Sequence, residues 1–174
     1  MNLLHDIDPG TKELMTVVIE IPKGSKNKYE LDKKTGFIKL DRVMHSAQDY
    51  PFDYGFVPQT LWDDHDPLDV VVLTTHPLVP GLLLEARPIG IMHMTDGGEP
   101  DEKIIAVADT DPRYADVRDL ADANQHVLKE IAHFFATYKQ IQKKEVVVGA
   151  FEGREAAEAA FDRGVKLYRD NKTA

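Results

Sequence analysis

The sequence predicts an α+β fold in which short antiparallel strands close into a small barrel and helices follow. Residues 14 to about 110 are rich in β-branched runs broken by Pro, Gly and Asp, whereas residues from about 116 onward are rich in helix formers. The two textures do not alternate, which argues against a doubly wound parallel sheet. Several short strands with Gly and Pro at their corners suit a closed arrangement, which leaves no exposed sheet edge.

Strands are expected over residues 14–21, 28–31, 37–44, 70–73, 82–94 and 103–108. Each is an apolar or alternating run bounded by turn residues. Pro22 and Gly24 end the first, and Lys33-Lys34-Thr35-Gly36 forms a turn before Phe37. Asp122, with Gln125 three residues on, reads as the capping box of a first helix. Val127, Ile131, Phe134, Tyr138 and Ile141 give that helix one apolar face. A second helix is expected over residues 154–168, with Ala157, Phe161, Val165 and Tyr168 as its stripe. No repeat, low-complexity tract or linker divides the chain, so residues 1–174 are read as a single domain.

Composition narrows the function classes. A hydrophobic share of 43% and a charged share of 29% belong to a folded protein. The net charge of -9 argues against a broad nucleic-acid or anionic-membrane surface. With no cysteine, neither disulfides nor thiolate zinc sites contribute, and the cytoplasm is the default location. The first ten residues carry His5, Asp6 and Asp8 and do not read as a signal peptide. No apolar stretch approaches the ~20 residues of a membrane-spanning helix.

The most informative segment is Asp63-Asp64-His65-Asp66-Pro67-Leu68-Asp69, with four aspartates in seven positions. Like charges this close repel unless a cation compensates. Hard carboxylate oxygens suit magnesium, calcium or manganese. Pro67 stiffens the loop, and Leu61, Trp62, Leu68 and the apolar run 70–73 anchor it on both sides. A solvated acidic turn is the plain alternative. The EF-hand pattern fails, because its glycine and its final glutamate are missing. His65 lies between two candidate ligands, where a histidine is more often a surface residue than a ligand.

Further charges fall on strand faces. Arg42 shares a face with Ile38, Leu40 and Met44, so its guanidinium needs a carboxylate or a phosphate. Lys28 and Glu30 share one face of their strand, and Glu20 points away from the face of Ile19 and Ile21. Lysine, arginine and carboxylates on adjacent short strands suit a phosphate-metal site, with cations for the anion and carboxylates for the metals. The segment 96–103 reads as a second acidic loop, at a hairpin tip, in which Asp101 and Lys103 share parity. Taken singly, Tyr138 reads as core and Lys139 as a solvated charge at a helix end.

Together these residues resemble the family I soluble inorganic pyrophosphatases. The family signature is three aspartates spaced as Asp64, Asp66 and Asp69, with a proline after the second. The likeness extends through Ile19-Glu20-Ile21-Pro22, Lys28-Tyr29-Glu30, Asp41-Arg42, Tyr50-Pro51-Phe52-Asp53-Tyr54-Gly55-Phe56, Met94-Thr95-Asp96, His133-Phe134-Phe135 and Tyr138-Lys139, in order, over about residues 14 to 168. The resemblance implies a five-stranded, OB-like antiparallel β-barrel with flanking C-terminal helices. It also implies hydrolysis of pyrophosphate to two phosphates, with several Mg2+ ions per active site and Mn2+ or another divalent ion as a substitute. By position, Asp64, Asp69 and Asp101 are implied metal ligands, with Asp96 at the same cluster and Glu20 and Glu30 as supporting carboxylates. Asp66 is the implied general base. Lys28, Arg42, Tyr138 and Lys139 are the implied pyrophosphate-binding set, Tyr54 and Lys103 the implied active-site tyrosine and lysine, and Tyr50 lies at the rim. Members resembling this chain are commonly hexamers, with the helix carrying His133 at a subunit contact.

Two positions depart from the family pattern. His65 stands where a small or polar residue, often glycine, is usual, and Asp53 stands where many relatives carry asparagine. The expectations are that His65 alters metal preference or loop conformation and that Asp53 adds negative charge near the metals. Two other classes compete with the hydrolase reading. A nucleic-acid-binding barrel would show basic surface and exposed aromatics. A non-catalytic divalent-cation-binding OB-like barrel would explain the carboxylates but not the conjunction of Lys28, Arg42, Tyr138 and Lys139.

Overall fold

The computed structural model describes residues 2–172. Its strands are β1 (Met15–Ile21), β2 (Asn27–Leu31), β3 (Ile38–Val43), β4 (Asp53–Phe56), β5 (Asp69–Leu73), β6 (Leu83–Asp96), β7 (Glu99–Pro100), β8 (Lys103–Ala108) and β9 (Val146–Gly153). The helices are α1 (Gln125–Thr137) and α2 (Arg154–Lys172). Three strands were not expected: β4, the two-residue β7 and β9. β4 is only four residues long, just after Pro51 and with Gly55 inside it, and β9 contains Gly149 and has an alternating, largely exposed pattern.

Pairing runs from β1 to β4, β5, β8 and β6, and β6 returns to β1, so five strands form a closed circuit of hydrogen-bonded neighbours. β9 extends it by pairing with β6, and β2 and β3 form a separate hairpin. The expectation that every pairing is antiparallel is corrected at one place: β5 and β8 run parallel, with Asp69 opposite Lys103. The long β6 is antiparallel to β8 and lies between the two in sequence, so the chain returns to the end from which β5 starts. The aspartate loop before β5 and the loop carrying Asp101 before β8 therefore meet at one end of the sheet.

Strand periodicity divides the core between two partners. Val70 and Val72 of β5 pack with Trp62, Leu68 and the α2 residues Ala157, Phe161 and Val165. Val71 and Leu73 pack with Tyr54, Ile105 and the α1 residues Leu128, Ile131, Phe134 and Phe135. Parity then places Asp69, Lys103 and Asp101 on the α1 side. Beside them Tyr50, Phe52, Tyr54, Phe134, Phe135 and Tyr138 form an aromatic cluster, with Tyr50 and Phe134 centroids 4.7 Å apart. Gly55 is required by a close approach, since a Cβ there would lie 1.9 Å from the Val18 carbonyl oxygen of β1.

The helix starts and stops differ in detail from expectation. The N-cap of α1 is Asn124, whose Oδ1 accepts from His126 N at 2.9 Å. Asp122 is already committed to the preceding 3-10 turn, accepting from the backbone N–H groups of Arg118 and Asp119. Ile141 lies beyond the end of α1 in a second 3-10 turn and is 63% exposed, so it is not part of the apolar face. Ala157, Phe161, Val165 and Tyr168 are all buried, and α2 runs on to Lys172. The helix docks on the approach to the aspartate loop, where Leu61 N donates to Gly164 O at 3.0 Å.

Candidate active site

The aspartate loop joins β4 to β5 and is held from within. Thr60 Oγ1 donates to Val57 O at 2.6 Å and accepts from Leu68 N at 2.9 Å, closing the loop's base. Trp62 N donates to Asp66 O, His65 N to Trp62 O, and Asp66 N to Asp64 Oδ1. Residue 65 turns with a φ of 65°, the left-handed region that a glycine adopts freely and a histidine does not. The outer side is braced by Arg163, whose guanidinium stacks 4.4 Å from the Trp62 ring and reaches Asp63 Oδ1 at 2.6 Å. Trp62 Nε1 in turn donates to Glu102 Oε2 at 2.6 Å, tying this loop to the one that carries Asp101.

Lys103, 2% exposed, is the link between the two acidic loops. Its Nζ donates to Asp69 Oδ2 at 2.6 Å and to Asp101 Oδ1. Burial works to lower its pKa, but the two carboxylates outweigh this and hold it above the ordinary lysine value. Asp69 is raised by burial and by Asp101, with Lys103 opposing. Asp64 is pushed up to about 6 by burial and by the charges of Asp69, Asp101 and Asp66, with the Asp66 N–H opposing. Tyr54 bonds Asp69, and burial followed by the charges of Asp69 and Asp101 raises it well above the usual tyrosine value. These groups thus feel one another's negative charge beyond what a single lysine neutralises.

The hairpin of β2 and β3 faces this cluster. Lys28 Nζ lies 3.0 Å from Glu30 Oε2 and 3.2 Å from Asp41 Oδ2. Lys28 pairs with Arg42 across the hairpin, but Tyr29 pairs with Leu40, so Asp41 is the extra residue of a bulge. Of the expected apolar companions of Arg42, Met44 is buried and Ile38 half-buried, but Leu40 is 51% exposed. The guanidinium instead meets Asp41 Oδ2 at 2.7 Å. Glu20 does point away from the core of β1 but is buried, accepting from Leu31 N at 2.7 Å. Burial, and then the charge of Asp69, push it up to about 8.

Near the end of α1, Lys139 pairs with Asp96 and lies 5.2 Å from the Tyr138 ring centroid. Burial lowers the Lys139 pKa; Asp96 opposes this, and the nearby charges of Arg42 and Lys28 lower it further. Burial and, more weakly, Arg42 disfavour the charge on Lys28, but Glu30 and Asp41 outweigh them and hold its pKa above the ordinary lysine value. Lys28, Arg42 and Lys139 thus form a second cluster, of cations each held by a carboxylate: Lys28 by Glu30 and Asp41, Arg42 by Asp41, and Lys139 by Asp96. Tyr138 is buried, and burial and Asp96 raise its pKa.

Glu20, Lys28, Glu30, Tyr54, Asp66 and Asp69 line one cleft of about 400 Å³, together with Lys33, Lys34 and Lys39. Arg42, Asp64, Asp96, Asp101, Lys103, Tyr138 and Lys139 are not among its lining residues and are connected to it through the contacts above. Asp66 is exposed, and Lys33 binds its carboxylate. The sequence reading missed Lys33, because a lysine in a hairpin turn carries no periodic signal. His65 lines a separate cavity of about 570 Å³ with His5, Lys33 and Tyr168, not the carboxylate cleft. Asp53 is fully buried and accepts from Lys23 N at 3.0 Å, Leu78 N at 2.9 Å and Thr74 Oγ1, so it serves as a backbone clasp.

Among the described residues no three carboxylate or imidazole groups share a cation-sized point. Asp64, Asp69 and Asp101 converge in charge, but Lys103 takes the position between Asp69 and Asp101. The donor set nevertheless fits a hard divalent ion: the groups are carboxylates, Asp64 and Asp69 remain raised in spite of Lys103, and no soft ligand lies among them.

The inorganic pyrophosphatase family model matches residues 17–169. Among curated relatives, a soluble inorganic pyrophosphatase of Zea mays is 51% identical over 166 residues, covering 94% of this chain and 78% of the relative. An inorganic pyrophosphatase of Geobacillus stearothermophilus is 48% identical over 160 residues, covering 92% of this chain and 97% of the relative. Among solved structures, an inorganic pyrophosphatase from Thermus thermophilus superimposes with a TM-score of 0.93 at 43% identity, covering 97% of this chain and 99% of that one. Sequence, fold and the opposed charge clusters thus agree, and the chain belongs to the inorganic pyrophosphatase family.

Proposed function

We propose that this chain hydrolyses inorganic pyrophosphate to two phosphates in the cleft between the acidic loops and the β2–β3 hairpin, with magnesium as its cofactor. The activity is that of its relatives at about half identity over nearly the whole chain. The observation that carries the site assignment is a carboxylate cluster facing a cluster of cations across one cleft. On one side the charges of Asp69 and Asp101 make ionisation of Asp64 harder, and Asp101 does the same to Asp69; on the other, Arg42 and Lys28 disfavour the charge on Lys139. A divalent cation relieves the first cluster and a polyanion relieves the second, and magnesium pyrophosphate supplies both.

In this reading Asp64, Asp69 and Asp101 hold the metal, with Asp96 beside them and Glu20 and Glu30 ordering the surrounding water. When bound, magnesium or manganese would polarise phosphoryl oxygens and make water more acidic. Asp66, exposed at the cleft, accepts the proton of the attacking water. Lys28, Arg42 and Lys139 offset charge on the two phosphates, and Tyr138 donates a hydrogen bond to them. Lys103 keeps Asp69 and Asp101 aimed at one place, and Tyr54 orients Asp69. The five-strand circuit is read as the family's OB-like barrel, and residues 1–174 as one domain. The family's hexamer, with α1 and His133 at a contact, is proposed for this chain, as are a cytoplasmic location and the absence of nucleic-acid or membrane partners.

Phosphate release from pyrophosphate, with magnesium and with a chelator, tests the reading. Turnover that needs magnesium and falls roughly 10²–10⁴-fold in Asp66→Asn, with Asp63→Asn little affected, is expected. Magnesium binding without phosphate release would leave only a cation-binding protein.

A further inference from the structure

The turn between β2 and β3 is built to present one side chain. The Asp32 carboxylate accepts from Lys34 N at 3.2 Å and from Thr35 Oγ1 at 2.9 Å, and Gly36 N donates to Asp32 O at 2.7 Å. From this fixed turn Lys33 reaches the far wall of the cleft. Its Nζ donates to His65 O at 3.1 Å and to Asp66 Oδ1. Among the described residues, Lys33 is the one group that hydrogen-bonds the Asp66 carboxylate.

Both ends of this tether matter. The backbone bonds inside the aspartate loop close its turn but leave the Asp66 carboxylate free to rotate. Residue 65 is held at a φ of 65° although it is a histidine, and its carbonyl oxygen is one of the two atoms that Lys33 binds. The hairpin on the other side carries Lys28, Glu30 and Arg42. Lys33 lines the carboxylate cleft and also the cavity behind Pro67, so it stands in the wall between the two.

The geometry points to Lys33 as a positioning residue that clamps the His65–Asp66 segment to the β2–β3 hairpin and so aims the Asp66 carboxylate into the cleft. This rests on the reading of Asp66 as proton acceptor. Lys33 acts through Asp66, so its loss affects the chemical step and leaves pyrophosphate binding to Lys28, Arg42 and Lys139. A lysine that bound phosphate directly would behave in the opposite way.

The test is steady-state kinetics with magnesium pyrophosphate on Lys33→Met, Lys33→Arg, Asp66→Asn and the Lys33→Met/Asp66→Asn double variant, with thermal unfolding as a check on folding. Lys33→Met is expected to lower kcat roughly 10-fold with KM changed less than about 2-fold, below the ~100-fold ceiling for a misplaced group. Lys33→Arg, which can also reach a carbonyl and a carboxylate, is expected to keep at least about half the turnover. In the Asp66→Asn background the lysine change should cost less than about 2-fold, because both residues act on one step. A rise in KM, or a full additive loss in the double variant, overturns the assignment. Full activity in Lys33→Met with a large loss in Asp66→Asn removes the role of Lys33 and leaves the base intact. Full activity in Asp66→Asn removes both.

Discussion

Lys103 Nζ lies 2.6 Å from Asp69 Oδ2 because β5 and β8 run parallel in a register that sets residue 69 opposite residue 103. The same ammonium reaches Asp101, two residues earlier on the same face. One buried cation therefore stands between two carboxylates assigned to the metal. Replacing it with methionine leaves both charges without their cation, and breaking a buried ion pair in this way typically costs about 3–5 kcal/mol. Urea unfolding of Lys103→Met in chelator should show a loss of that order, and saturating magnesium should return part of it. Equal losses with and without magnesium would mean that the lysine and the metal do not act on the same carboxylates.

Glu20 gives the metal-free protein a pH dependence of definite sign. Its folded pKa is raised from 4.5 to about 8 by burial and then by Asp69, so between those values the folded state binds more protons than the unfolded state. Stability from this group is present at low pH and is lost as pH rises through the window, by up to about 1.4 kcal/mol per pH unit. Glu20→Gln keeps an acceptor for Leu31 N and cannot ionise. The stability of the variant relative to the parent should therefore rise from pH 5 to pH 8, measured by urea unfolding in chelator. A constant difference across that range would contradict the assignment.

The sequence was most legible where chemistry and periodicity coincide. The strand runs at 70–73 and 103–108, the acidic loop and the α2 stripe could be read directly, because burial dictates apolar residues at fixed spacing; of the α1 stripe, Ile131, Phe134 and Tyr138 are buried and Ile141 is not. The parallel pairing of β5 with β8 could not be read, since register depends on which long-range neighbours meet. β4 was hidden by its length and by Gly55, whose role is to let the β1 backbone approach. The bulge at Asp41 broke the alternation that placed Arg42 among apolar residues. Lys33 and Asp53 were illegible for a common reason: each acts through hydrogen bonds to segments distant in sequence.

His65 is a backbone matter. Its φ of 65° suits glycine, and its ring lines the cavity on the other side of Pro67 from the carboxylates. Relief of the left-handed penalty and the greater chain freedom of glycine nearly offset each other, so His65→Gly should change stability by less than about 1 kcal/mol. Magnesium and manganese activities should keep their ratio. A β-branched His65→Val should destabilise by about 1–2 kcal/mol in the same urea assay. A shifted metal preference in His65→Gly would show that the imidazole reaches the metals.

Asp53 holds two backbone N–H groups and the Thr74 hydroxyl. Asparagine can accept from Lys23 N and Leu78 N through its oxygen while its amide donates to Thr74 Oγ1, so Asp53→Asn should be tolerated within about 1 kcal/mol. Asp53→Ala strands the Lys23 and Leu78 N–H groups, while Thr74 Oγ1 can still donate to His76 O, and should cost about 2–6 kcal/mol by urea unfolding, at one to three per buried group. The kcat of the folded alanine variant should stay near that of the parent. A large loss of turnover in Asp53→Asn, with stability retained, would place its charge at the metals after all.

A crystal structure with magnesium and a phosphate ligand would show whether the two facing clusters are a metal site and an anion site. Carboxylate oxygens of Asp64, Asp69 and Asp101 should lie about 2.0–2.1 Å from magnesium, with phosphate oxygens facing Lys28, Arg42 and Lys139. Magnesium bound away from those aspartates, or phosphate seated apart from those cations, would contradict that assignment.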